Sequence, residues 1–366
     1  MSSGAPISFA RGAPSLDIVD VEGLREATDR AFTNDPAGTF SYGTAIGYVP
    51  LREWIAEHHQ VVAERVLVTN GSMQADAFLF DELVEPGDAV VVEKPTYDRT
   101  LLTLRDRGAD IHAVELEPDG IDVEAVEKLL RDGVRPKLAH IIPNFQNPAG
   151  YTLSGEKRTR LLALAAEHGF TIFEDDPYVA LRFEGEALPP MLDEDGDAGN
   201  VVYASSFSKT VCPGIRVGYL VGPEDRIASI RRRATSTYIS PNMVAQSIVN
   251  EFARSGAILR SIDTVKDALR ERSSALAEAL ERELPEARFQ KPEGGYFMWV
   301  ELPESIRADQ LFAAAGERGV AFVKGSDFLL EGGEHALRLA YSGVTVDQVH
   351  EGVRRLAEAA RSLVPA

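Results

Sequence analysis

The sequence predicts an α/β protein: a large domain built on a mainly parallel, doubly wound sheet of seven strands, joined to a smaller α+β domain. Three observations carry that prediction. From about residue 66 onward, short β-branched runs alternate with helical patterns. Several of these runs are continuously apolar rather than alternating, as strands covered on both faces are. The chain has 366 residues, which at about 100–200 residues per domain leaves room for two.

Taken in order, a Gly-, Pro- and Ser-rich opening leads into a helix over Val21–Phe32. The strand runs are Arg65–Thr69, Ala89–Glu93, Ile111–Leu116, Leu138–Ile142, Phe170–Glu174, Val201–Ser205 and Val217–Val221. Among the helices between them, Ser154–His168 presents Leu161, Leu162, Leu164 and Ala165 on one face, with Ser154 and Gly169 as cap signals. The acidic stretch Asp193–Asp197 reads as a solvated loop. A long charged helix over Ile258–Glu283 stops near Pro285. It is followed by a strand at Tyr296–Glu301, a helix at Ala308–Arg318, strands at Ala321–Lys324 and Leu337–Ala340, and a helix at Val346–Leu363. The expected division is an arm over 1–40 with part of the small domain, a large domain over 41–262 and a small domain over 263–366.

Composition narrows the function classes. Thirty-eight basic against 57 acidic side chains leave a net charge of −19, which disfavours nucleic acid and anionic membranes as partners. No apolar stretch reaches the roughly 18–20 residues of a spanning helix. The start, MSSGAPISF, has no basic-then-apolar signal pattern. A single cysteine, Cys212, forms no intrachain disulfide. A cytoplasmic protein is the expectation.

In doubly wound sheets, ligands bind beyond the carboxyl ends of the strands, and chemistry-bearing residues follow five of the runs. Asn70-Gly71-Ser72-Met73-Gln74 opens a helix, either as a cap or as a phosphate cradle. Glu93-Lys94-Pro95-Thr96-Tyr97 ends on an aromatic that either packs in the core or stacks on a ligand ring. Asn147-Pro148-Ala149-Gly150 is a turn, with or without a hydrogen bond from Asn147 to a ligand. Glu174-Asp175-Asp176 closes an apolar strand with carboxylates that are costly to bury without a cation. The last group, Ser205 through Tyr219, carries Lys209 among hydroxyls and apolar residues, with Arg216 close behind. Such a lysine is either a solvated charge or a desolvated amine with a lowered pKa, competent toward an aldehyde.

SFSK-x4-G-x-R-x-G at Ser206–Gly218, with NPxG and D-x-x-Y upstream, resembles the fold type I, pyridoxal-phosphate-dependent aminotransferases of class I/II. The resemblance is nearest to the branch with aminoadipate and kynurenine aminotransferases, and it runs from Ser8 to Ser342. It implies pyridoxal 5'-phosphate as cofactor, held covalently by Lys209. Asp175 would pair with the ring nitrogen, Asn147 and Tyr178 with the phenolic oxygen, and Tyr97 with the ring face. Ser72, the Met73 backbone, Ser206, Ser208 and Arg216 would cradle the phosphate, and Tyr42 would reach the phosphate of a neighbouring subunit in a homodimer. Arg338 would clamp the substrate carboxylate, assisted by Asn147 and the Gly12 backbone.

The implied reaction moves an amino group from an L-amino acid to a 2-oxo acid, with 2-oxoglutarate the expected acceptor, by a ping-pong route in which Lys209 is the general base. Lyases, decarboxylases and cyclising enzymes on the same fold are the alternative. A regulator with a winged-helix DNA-binding module is a weaker one, given the acidic charge and a pattern that starts by residue 8. Dicarboxylate-specific relatives take an arginine from the partner in the region matching Thr235–Pro241, which has none here. Aromatic, branched-chain or 2-aminoadipate-like donors are therefore expected. Arg11 departs from the family pattern and reads either as a surface charge or as a contact to a substrate side chain.

Overall fold

The computed structural model describes residues 5–363. All seven expected strands form: β1 (Val66–Thr69), β2 (Ala89–Lys94), β3 (Asp110–Glu117), β4 (Pro136–Ile141), β5 (Thr171–Asp175), β6 (Val201–Ser206) and β7 (Gly218–Val221). They lie side by side as β3-β2-β4-β5-β6-β7-β1. Pairing is parallel from β3 to β6, while β7 runs antiparallel to both β6 and β1. Hence β1 points the same way as β6. The carboxyl ends of β1–β6 share one edge, and β7 begins at that edge. Every residue of β1, β6 and β7 is buried, which is why those runs carry no polar alternation.

Two expectations for this sheet need correction. A two-residue strand, Gly120–Ile121, pairs antiparallel with β3, so the sheet has eight strands rather than seven. Its turn uses Gly120 at φ +114°, where a Cβ would press on Leu153. The acidic stretch 193–197 is not simply a loop, because Met191–Asp195 is a short helix. The buried Glu174 carboxylate accepts from Met191 N and Leu192 N at 2.8 and 2.9 Å and so anchors its first turn. Asp195 accepts from the backbone of Asn200 and Val201. The ordering signal came from β5, not from the acidic stretch.

The helix Gly155–His168 is capped as expected, by Ser154 at one end and by left-handed Gly169 at the other. In the C-terminal part, β8 (Phe297–Glu301) pairs antiparallel with β9 (Ala336–Ala340) at the centre of a four-stranded sheet. The run 321–324, expected as one strand, divides at buried Phe322. Val320–Ala321 pairs with Ile7–Ser8, and Val323–Lys324 pairs with β9. Ile7, Phe9 and Ile18 therefore share a core with Leu276, Leu339 and Leu356. The helix Val21–Asn34 instead buries Ala27 in the core of the large sheet. One helix, Ala257–Glu283, joins the two cores: Ala257 and Ile258 pack in the larger, Val265 and Leu269 in the smaller. Among the described residues, no helix is long and apolar enough to cross a membrane.

Candidate active site

The shared edge of β1–β6 borders a cavity of about 410 Å3, closed on its far side by Ala10, Gly12, Phe297, Phe328 and Arg338. Of the residues singled out in the sequence, the cavity brings together Gly12, Ser72, Met73, Tyr97, Asn147, Asp175, Tyr178, Ser206, Ser208, Lys209, Arg216 and Arg338. Arg11 and Tyr42 stay outside it, both exposed on the surface.

One end of the cavity is built for an anion. Gly71 caps the helix Ser72–Leu83 at φ +88°, and a Cβ there would collide with the Arg216 guanidinium. Arg216 itself adopts a left-handed backbone (φ +51°) just before β7. Its Nη1 donates to Ser208 Oγ at 3.2 Å, and Ser206 Oγ accepts from Ser208 N at 3.1 Å. A helix N-terminus, two hydroxyls and a guanidinium converge there, a donor set that suits a phosphate.

The opposite end holds acid. Three successive carboxylates close β5, and their surroundings differ. Glu174 takes two backbone N–H groups, with Arg158 at 4.0 Å, and Asp176 accepts from Asn144 Nδ2 at 2.8 Å. Asp175 alone of the three faces the cavity, and its Oδ1 has no partner among the described residues. An acceptor buried without a donor is costly, and a protonated ring nitrogen would answer it.

Between these ends, Lys209 Nζ donates to Gly12 O at 2.7 Å and lies 5.5 and 5.3 Å from the ring centres of Tyr178 and Tyr296. Burial pushes its pKa down to about 8, and the charges of Arg338 and Arg216 act in the same direction. Tyr296 fixes the Lys209 backbone by donating to its carbonyl at 2.9 Å. Arg338 projects from β9 with its guanidinium 4.3 and 4.8 Å from the Phe297 and Phe328 rings. Its Nη1 donates to Asn147 Oδ1 at 2.9 Å and its Nη2 to Ala10 O at 2.6 Å. Gly12 leaves no room for a side chain, since a Cβ would strike Phe297. Tyr178 is buried edge-on to Phe297, and burial holds its hydroxyl protonated well above the usual range. Tyr97 reaches Met73 Sδ at 3.4 Å.

Sequence reasoning missed the other wall: Ala10, Asp98, Arg99, Ile142, Phe297, Val323 and Phe328. Most are apolar or backbone contacts, and those from the C-terminal four-stranded sheet and its neighbours arrive from distant parts of the chain, so no local pattern marks them. His140 and Asp76, buried behind Asp175, were missed as well, because each sits inside a run that reads as plain core.

This geometry has close counterparts. The family described as aminotransferase class I and II matches residues 6–356. The chain is 35% identical over 362 residues to a 2-aminoadipate transaminase of Thermus thermophilus, covering 98% of this chain and 91% of that one. An aromatic-amino-acid aminotransferase of Thermococcus litoralis is 33% identical, with 96% and 87% covered. Among solved structures, α-aminoadipate aminotransferase from Thermus thermophilus, complexed with N-(5'-phosphopyridoxyl)-L-leucine, superposes with a TM-score of 0.93 at 34% identity, over 98% of this chain and 92% of that one. The kynurenine aminotransferase of Pyrococcus horikoshii gives 0.94 at 32% identity, over 99% and 92%. The chain belongs to the class I and II aminotransferases, enzymes of the fold type I class that transfer amino groups with pyridoxal phosphate.

Proposed function

We propose that this aminotransferase takes an aromatic, branched-chain or 2-aminoadipate-like L-amino acid as donor and 2-oxoglutarate as acceptor, with Lys209, Asp175 and Arg338 as the residues that set the chemistry. The observation that carries this reading is the convergence in one cavity of a desolvated amine, an unpartnered carboxylate and a guanidinium stacked between two phenyl rings. The donor class follows from the named relatives, a 2-aminoadipate and an aromatic-amino-acid enzyme, and from the apolar wall of Phe297, Val323 and Phe328.

When bound, pyridoxal phosphate supplies an aldehyde that condenses with amines and a cationic ring that draws electrons from the substrate Cα. The residues present fit that group. Ser206, Ser208, Arg216 and the backbone at Ser72 and Met73 would hold the phosphate, Tyr97 would cover the ring, and Asn147 and Tyr178 would bond its phenolic oxygen. Asp175 would keep a proton on the ring nitrogen. Arg338, with Asn147 and Gly12 beside it, fixes the substrate carboxylate and so orients the Cα–H bond. Lys209, whose amine is substantially neutral near pH 8, would serve as the general base that accepts the proton from the substrate Cα at Nζ. Arg11 flanks the Ala10 and Gly12 lining in sequence but is exposed outside the cavity, which favours the surface-charge reading over a contact to a substrate side chain.

A homodimer in the cytoplasm completes the reading. Tyr42 and Phe40 are 86% and 60% exposed, which suits a face buried against a second copy, with Tyr42 reaching the neighbour's phosphate.

The test is to add pyridoxal phosphate to cofactor-free protein and follow its absorbance, then add single amino acids without acceptor. The lysine-bound absorbance band is expected to form, and to convert to that of pyridoxamine phosphate with the proposed donors. In K209A the band does not form and turnover falls by about 10^4-fold or more. Parent-level turnover in K209A overturns the assignment, and conversion by aspartate alone overturns the donor class.

A further inference from the structure

Behind Asp175, the sheet register brings a second titratable side chain to the site. His140 of β4 pairs with Phe173 of β5, so its side chain emerges on the same face as Phe173 and, two residues on, Asp175. The rings of His140 and Phe173 are 5.1 Å apart, and Phe80 closes the other side at 6.1 Å. Asp76 stands four residues before Phe80 on the helix Ser72–Leu83 and therefore faces the same space. His140 is fully buried, and neither ring nitrogen has a hydrogen-bond partner among the described residues. Its Nε2 lies 3.5 Å from Asp175 Oδ2, while Asp175 Oδ1 and Asp76 Oδ1 are also unpartnered there.

A buried imidazole among phenyl rings costs free energy unless one of its nitrogens is used. The charged oxygen in reach is that of Asp175, and such contacts are often long in a ligand-free site and tighten when the ligand binds. We infer that His140 is a positioning residue for Asp175: its Nε2–H holds the carboxylate at Oδ2 and so fixes the orientation in which Asp175 faces the cavity and the ring nitrogen. The inference rests on reading Asp175 as the partner of that nitrogen. Besides its chain neighbours Glu174 and Asp176, the acids near Asp175 are Asp76 and Glu93. Burial and the Asp175 charge both push the Asp76 carboxyl upward, and burial raises Glu93 to about 8. Neither supplies Asp175 with a cation, so His140 is its basic neighbour on the sheet side.

The experiment uses the full chain reconstituted with pyridoxal phosphate labelled with 15N in the ring. The ring-nitrogen chemical shift reports its protonation, and titration with pyridoxamine phosphate gives an affinity that does not depend on turnover. The parent should show the protonated shift. H140F, which keeps the aromatic packing, should move it toward the unprotonated value and weaken pyridoxamine phosphate binding about tenfold, as loss of a charge-assisted hydrogen bond does. H140Q returns an amide N–H donor at about the reach of Nε2 and should recover much of both. A parent-like shift and affinity in H140F, with D175N displaced, sink the role of His140 and spare that of Asp175. A parent-like shift in D175N sinks the reading of Asp175 itself. If H140Q is no better than H140F, the donor is not what matters and the inference fails.

Discussion

The two ends of the cavity solve opposite electrostatic problems. At the phosphate end, the polar groups satisfy one another without a ligand: Arg216 bonds Ser208, Ser208 bonds Ser206, and Gly71 keeps the approach clear. At the ring end, Asp175, Asp76 and His140 are buried with polar atoms unpartnered among the described residues. The first end is preorganised by backbone shape. The second holds charge that His140 and Lys209 offset only in part, so that a cation arriving from the cavity completes its relief. Binding at one end is therefore a matter of fit, and at the other of neutralisation.

The sharpest way to break this contrast is D175N. It removes the charge that the ring nitrogen needs, so turnover should fall by about 10^3-fold or more. Yet the cofactor-free variant should melt a few degrees higher than the parent, because a buried anion beside Asp76 is gone. Calorimetry on both cofactor-free proteins checks this. A lower midpoint would mean that Asp175 is already compensated and that the contrast is false.

The phosphate end predicts the reverse pattern. G71A forces a side chain into left-handed backbone and against Arg216, so cofactor affinity should drop about 10–100-fold. Turnover at saturating pyridoxal phosphate should stay within about threefold of the parent. Equilibrium dialysis paired with saturated assays separates the two effects, and a loss of turnover at saturation would show that Gly71 shapes more than the cradle.

The same contrast explains what the sequence could reveal. The sheet was legible because continuous runs such as Val201–Ser205 have no other stable home than a covered strand. The phosphate end was legible because Gly71, Ser206, Ser208 and Arg216 sit in short local patterns with strong conformational demands. The ring end was half legible: three acids in a row at the end of β5 announced an anomaly, but only the fold tells Asp175 from its neighbours, by giving Glu174 the Met191–Asp195 helix and Asp176 the Asn144 amide. His140 was invisible, since a histidine within LAHII carries no periodic signal and its role depends on register with β5. The two-residue strands at Ile7 and Gly120 were missed for a related reason: they are held by pairing across the chain and not by local propensity.

Lys209 lies between the two ends and should show an intermediate effect. Its amine is depressed to about 8 in the cofactor-free fold, against an ordinary value of 10.5. Between those values the unfolded chain binds more protons than the folded one, so its contribution to stability rises with pH across that window and is flat below it. K209M removes the desolvated amine and should be more stable than the parent at pH 7 by about 1–3 kcal/mol. That advantage should shrink toward pH 10. A constant difference from pH 7 to 10 would mean that the amine is not desolvated.

The smallest effect on turnover belongs to Glu93, which tests how far the acidic environment of the ring end extends. Its carboxyl accepts from Gln146 Nε2 at 2.9 Å and from Ile142 N at 3.3 Å, yet burial lifts its pKa from 4.5 to about 8. The raised value gives a definite sign: the folded chain retains this proton between those limits while the unfolded chain has lost it. The stability that Glu93 contributes is therefore full below pH 4.5, declines as pH rises and is gone above about 8. E93Q is neutral throughout and keeps an acceptor for Gln146, so it should gain on the parent from about pH 5 to 8 and hold a constant lead beyond. Glu174 titrates in the same window, with its pKa raised to about 7, but it is common to both proteins and cancels in the difference. Turnover should stay within about twofold, because Gln146 still ties the Asn147 turn to Pro95 O at 2.8 Å. A difference independent of pH would confine the electrostatic cost to Asp175 and its immediate contacts, and would make the ring end as local as the phosphate end.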